Sequence, residues 1–305
     1  MTADPARCAS RPLPKLDRAA ARVRKSLAGS LQDATTGPML PWRSFMGTGR
    51  LLSVLLAVGS LATPIRAAQA EETEIVVRVI SLGAKFVGTS MGGAQITLKD
   101  ASTGEVLAKG VTRGSTGDTN RIMGPDRDPS QPLSTPDAAS FRTKIDLSEP
   151  TRIEAEAFGP LGRRQSATRV SSVRWVVPGA DLSEGDGWLL TLPGLAVDVR
   201  SPNVPSGSDS NQPIQIHADV RMMCGCPITK DGPWKVEEYR VEAVVTRQGE
   251  EIARVDLEYA GRASQFRAEY EPPEPGAYHI RVIAQQPRLG NTGVDLTAVT
   301  IFESP

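Results

Sequence analysis

The chain is poor in the residues that build ordinary active sites. It has two histidines, His217 and His279, and three cysteines, Cys8, Cys224 and Cys226, among 305 residues. No Gly-x-Ser-x-Gly turn accompanies either histidine, so the paired nucleophile and base of a serine hydrolase are missing. A phosphate-cradling glycine loop, a dinucleotide fingerprint and a His-Glu-x-x-His helix are missing too. These absences argue against an enzyme with a self-contained site. Aromatic residues are only 5% of the chain, against 28 glycines and 24 prolines. Many turns and few bulky core residues favour short strands over long helices. Formal charge is zero, which gives no electrostatic reason to expect a nucleic-acid partner.

Long apolar runs are scarce as well. The longest, residues 51–65, is too short and too rich in small side chains for a membrane span. Arg50 precedes it, Ala68-Gln69-Ala70 follows, and Glu71-Glu72 opens an acidic stretch. A basic flank, an apolar middle and a small-x-small exit describe a secretory signal peptide over residues 46–70; the alternative is an uncleaved anchor. Residues 1–45 then read as an over-extended or disordered segment ahead of a start at Met46. From residue 71 onward there are 25 Lys/Arg and 32 Asp/Glu, a net charge of −7. The expectation is a periplasmic or secreted protein that binds no nucleic acid and keeps no stable membrane span after cleavage. Cys224 and Cys226 are its only cysteines, in a compartment that permits disulfides.

Residues 71–194 read as one all-β domain. Residues 74–81 are β-branched; at 94–99, Ala94, Ile96 and Leu98 alternate with Gln95, Thr97 and Lys99. Asp100 to Gly104 is a turn, and residues 105–111, 141–147, 151–158, 166–177 and 188–192 continue as strands. Residues 113–139 break the pattern with a long Gly/Pro/Asp/Ser-rich segment, read as a solvated loop. Asp118, Asp126, Asp128 and Asp137 lie in it, at spacings that do not match a calcium loop. Residues 93–100 followed by 103–112 resemble the opening of transthyretin-like and carboxypeptidase-regulatory-like domains, a resemblance that implies a small β-sandwich and no activity.

Residues 195–305 form a second unit of seven expected strands, with a hairpin at Gln248-Gly249, which makes an immunoglobulin-like sandwich the natural reading. Residues 275–284 followed by 289–293 resemble the last two strands of bacterial immunoglobulin-like domains, with Tyr278 where such domains place a corner tyrosine. That resemblance implies an adhesive, spacer or accessory module.

Distinctive chemistry crowds into residues 215–228. Read as one strand, Ile216, Ala218, Val220, Met222, Cys224 and Cys226 share an apolar face, and His217, Asp219, Arg221 and Met223 a polar one. Three outcomes are open for the sulfurs. Cys224 and Cys226 can bridge if Gly225 and Pro227 fold the backbone, since i and i+2 in a flat strand stand about 6.5–7 Å apart. Alternatively Cys224, Cys226, Met222 and Met223 are soft ligands suited to Cu(I). Or the cysteines pack, or pair with another protein. The whole reads as an exported all-β scaffold with a protein partner in the cell envelope, no cofactor and no catalytic residues; the alternative is a copper-handling or thiol-redox protein.

Overall fold

The structure, a computed structural model, describes residues 69–202, 207–209 and 212–303, with backbone alone at 207–209. The expected leader lies outside the described residues apart from Gln69 and Ala70. Seven strands make the first sandwich: β1 Glu71–Ser81, β2 Gln95–Asp100, β3 Val106–Val111, β4 Phe141–Leu147, β5 Thr151–Gly159, β6 Thr168–Val176 and β7 Trp188–Leu192. One sheet runs β4-β1-β7, with β1 antiparallel to β4 and parallel to β7; the other runs β3-β2-β5-β6. Alternation puts Ile96, Leu98, Ile153, Ala155 and Ala157 of one sheet against Ile75, Val77 and Val79 of the other, around the fully buried Trp188. The Asp100 carboxylate accepts from the backbone N–H of Ser102 and Thr103 at 2.7 and 2.9 Å, closing the turn into β3.

From Ile75 to Ser81 every residue of β1 is buried, Arg78 included, because both faces of the strand are covered. Its second face meets segment 113–139, which is not the solvated loop expected. Asp118 caps a five-residue helix, α1 Thr119–Met123. Ile122, Ala138 and Ala139 form a small core with Ile80 and Phe86. The Asp186 carboxylate accepts from the backbone N–H of Leu133 and Ser134 at 2.9 and 2.7 Å, pinning the segment to the turn before β7. Polar composition concealed this because the segment folds through a few apolar residues spaced without a period. Under it lies Arg78, 7% exposed, with Nε and Nη1 unpartnered. Burial pulls its pKa below the usual guanidinium value, opposed by the Asp186 charge.

The second sandwich contains β8 Leu195–Ser201, β9 Gly207–Asp209, β10 Ile214–Met222, β11 Arg240–Arg247, β12 Glu250–Asp256, β13 Glu258–Tyr259, β14 Gln265–Tyr270, β15 Gly276–Gln286 and β16 Asn291–Phe302. Its sheets run β13-β14-β10-β8 and β12-β11-β15-β16-β9. The first is the A-B-E-D order and the second contains the C-F-G order of an immunoglobulin-like sandwich. β11 and β12 close at Gln248 and Gly249, both at positive φ (53° and 90°), the geometry of a twisted two-residue hairpin. Tyr278 is fully buried and its hydroxyl donates to the Glu274 carbonyl, the expected tyrosine corner. β9 and β13 are too short to show in residue alternation. The chain is therefore all-β, with two immunoglobulin-like sandwiches. Among the described residues no helix is long and apolar enough to cross a membrane.

Candidate functional site

β10 carries the expected apolar face into the second core through Ile214, Ile216, Ala218, Val220 and Met222. The strand does not continue to residue 228; it ends at Met222. There Gly225 N donates to Met222 O at 2.8 Å and Met222 N donates to Cys226 O at 3.2 Å. Gly225 takes φ +81°, a left-handed conformation that other residues adopt at a cost. The turn brings the Cα atoms of Cys224 and Cys226 to 5.4 Å, within the range a disulfide spans, and their sulfurs into contact. Both side chains are buried, at 1% and 5% exposure.

The two methionines diverge. Met222 belongs to the second sandwich's core, where its sulfur accepts from the Tyr239 hydroxyl at 3.1 Å. Burial raises the Tyr239 phenol pKa, keeping it a donor. Met223, placed by alternation on the polar face, is 1% exposed and sits in the first sandwich's core beside Ala196. β10 ends one residue earlier, so Met223 lies in the turn, where a period of two no longer applies, and it packs into the first sandwich instead of facing water. Asp219, two strand steps away, is also buried at 6%, held by Arg200 at 2.8 Å and Arg221 at 3.4 Å. A fifth sulfur joins from across the junction. A Cβ at Gly225 would lie 2.8 Å from both Cγ and Sδ of Met91. Met91 ends a short 3-10 turn, Thr89–Met91, in a glycine-rich stretch with no periodic signal to single it out.

Polar bonds complete the junction. Trp234 Nε1 donates to Gly83 O at 3.0 Å, and Ser166 Oγ accepts from Val197 N at 3.0 Å. Asn291, 1% exposed, donates to Leu82 O at 3.1 Å and Gln286 Oε1 at 2.8 Å, and accepts from Gly194 N at 2.8 Å.

His217 and His279 are exposed on strands of different sheets, β10 and β15, each pointing away from the core between them. They do not converge with each other or with the cysteines. Among the described residues no three His, Cys, Asp or Glu side chains are placed to hold a metal ion. Asp118, Asp128 and Asp137 are instead engaged by Arg121 N, Ser130 and Thr135 in local turns. One surface feature went unread in the sequence. β6 is an edge strand, and it displays Val173 (43% exposed), Trp175 (65%) and, just past its end, Val177 (48%).

No protein-family model matches the chain, and no curated protein matches it. Solved structures resemble it distantly. The fibronectin(III)-like modules of Clostridium thermocellum CbhA share 14% identity over 76% of this chain and 94% of theirs, with a TM-score of 0.25. A chimeric titin Z1Z2 functionalized with a KLER exogenous peptide from decorin shares 12% over 78% and 99%, with a TM-score of 0.23. An engineered protein shares 17% over 42% of this chain, with a TM-score of 0.28, and this chain spans 24% of its length. The fold assignment rests on the strand order and the tyrosine corner.

Proposed function

We propose that the chain is an exported binding or scaffolding module of the cell envelope, with a protein partner seated on the β6 edge. The observation that carries this is Trp175. Large aromatics are rarely left on flat edge strands, because an unpaired edge with an apolar row invites another chain to add to it. Trp175 stands in line with Val173 and Val177 and has that form. In this reading the first sandwich is transthyretin-like, the second is a bacterial immunoglobulin-like spacer, and the Cys224–Cys226 bridge clips the turn between them. A photo-crosslinker at Val173, used in intact cells, tests it. The expected result is one adduct with an envelope protein, lost in Trp175→Lys while the melting temperature is unchanged. Absence of any adduct, with the protein found in the cytosol, sinks the reading.

A second reading, a copper-handling or thiol-redox protein, is favoured by Met91 lying against Gly225 between the two cysteines. There the reduced thiolates would hold Cu(I) with thioether support, a donor set that soft metals prefer. Thiol titration with mass spectrometry on envelope material separates the two. Copper kept at one equivalent and lost in Cys224→Ser favours the copper reading; a stable bridge without metal favours the scaffold.

A further inference from the structure

A basic cleft lies on the outer face of the β13-β14-β10-β8 sheet, in a chain whose residues from 71 onward carry a net charge of −7. It offers about 630 Å³ open to solvent on one side, lined by Arg200 and the exposed His217, Arg262 and Arg267, with Asp219 as the one acidic lining residue. The volume is that of a small-molecule site.

Two features show construction rather than scattered surface charge. First, Arg200 is an extra residue in β8: His217 pairs with Ser201 and Ala218 with Val199, so the register skips Arg200. Such bulges re-aim a side chain out of the regular ladder. Second, Asp219 is buried and its Oδ2 accepts from both Nε and Nη2 of Arg200, at 3.1 and 2.8 Å. That grip raises the Arg200 pKa and fixes the guanidinium beside the cleft. Asp198, which faces Asp219 across the strands, is also met by Arg200 Nη2, at 3.1 Å, so both carboxylates are already answered.

Arg262 and Arg267 are not, among the described residues. His217 pairs in register with Arg267 on β14, and successive strands stand about 4.8 Å apart, so Arg200, His217 and Arg267 form a row across three strands. Arg262 adds a charge from the turn between β13 and β14. Neither Arg262 nor Arg267 forms an ion pair among the described residues, although Glu258 lies across from Arg267 in register. Clustered guanidiniums held around one cavity are what a phosphate, sulfate or carboxylate group requires, since their forked N–H groups match its oxygens.

We propose that this cleft binds the oxyanion group of a small anionic ligand, with Arg200, Arg262 and Arg267 as contacts and Asp219 as the residue that positions Arg200. The site is separate from the Trp175 edge and from the sulfur turn, so it stands or falls independently of either functional reading. Calorimetric titration of the full chain at low salt with inorganic phosphate, pyrophosphate and citrate tests it. Saturable one-site binding of at least one of them is expected. Arg262→Gln and Arg267→Gln should each weaken it about tenfold or more, the worth of one charge-assisted hydrogen bond. Citrate without phosphate binding would assign a carboxylate ligand; pyrophosphate or phosphate binding would assign a phosphorylated one. Arg254→Gln, on the other sheet, should leave the affinity unchanged. No binding by any probe up to about 10 mM, or equal weakening by Arg254→Gln, would overturn the proposal.

Discussion

Gly225 is where one atom decides the shape of the sulfur turn. Its φ of +81° disfavours any side chain, and an added Cβ would meet Met91 Cγ and Sδ at 2.8 Å. Gly104 is a matched control, with φ +77° and nothing within 4 Å of its hypothetical Cβ. Gly104→Ala should cost about 1 kcal/mol, the conformational term alone. Gly225→Ala should cost about 2–4 kcal/mol, because Met91 must also leave its place. Urea denaturation of both variants, and of Gly225→Ala in a Met91→Ala background, checks this. The double variant should recover at least about 1 kcal/mol of the excess; strict additivity would mean that Met91 and the turn do not press on each other. The inward face of β10 from Ile216 to Met222 was readable from alternation, but Met223, past the strand's end, was not. What alternation cannot report is a turn that carries a side chain into a neighbouring domain, or arginines that fold over a carboxylate, so the burial of Met223 and of Asp219 under Arg200 and Arg221 was hidden. Met91 was hidden altogether, since a lone methionine among glycines has no pattern to belong to.

The strands were legible as elements because one side of each meets a core and the other meets water, and that contrast is written as a period of two. Segment 113–139 has no such contrast, and its role as a cover for the β4-β1-β7 sheet comes from scattered contacts at Ile122, Leu133, Ala138 and Ala139. Its weak point is Arg78. A guanidinium 7% exposed, with two unpartnered nitrogens, is desolvated without full compensation. Arg78→Met keeps the length and the apolar stem while removing the charge. It should leave stability unchanged or raise it by about 1–2 kcal/mol, measured by chemical denaturation. A loss of more than about 2 kcal/mol would show that the guanidinium finds an acceptor under the cover and that its charge holds segment 113–139 in place.

At the scale of the whole chain, the question is whether two sandwiches behave as two. Only Pro193 and Gly194 separate β7 from β8, too few residues to let the bodies swing freely. The cores also trade side chains: Ala84 from the first half packs in the second core, and Met223 and Ala196 from the second half pack in the first. Each half therefore lacks part of its own interior without the other, and unfolding one should expose the other. Asn291 is the polar centre of this exchange. It satisfies Leu82 of one sandwich, Gln286 of its own and Gly194 between them, at 1% exposure. Asn291→Ala leaves the buried Gln286 side chain and the part-buried Leu82 carbonyl and Gly194 N–H without this partner, at a cost of about 2–4 kcal/mol. Because the loss falls on the coupling rather than on either core, it should change the form of unfolding as well as its midpoint. Calorimetry should show one cooperative transition for the unaltered chain and two for Asn291→Ala. Two transitions in the unaltered chain would mean that the traded side chains do not bind the halves together. A single, merely lowered transition in Asn291→Ala would shift the coupling to the apolar exchange, with Met223→Ala as the variant that should then divide it.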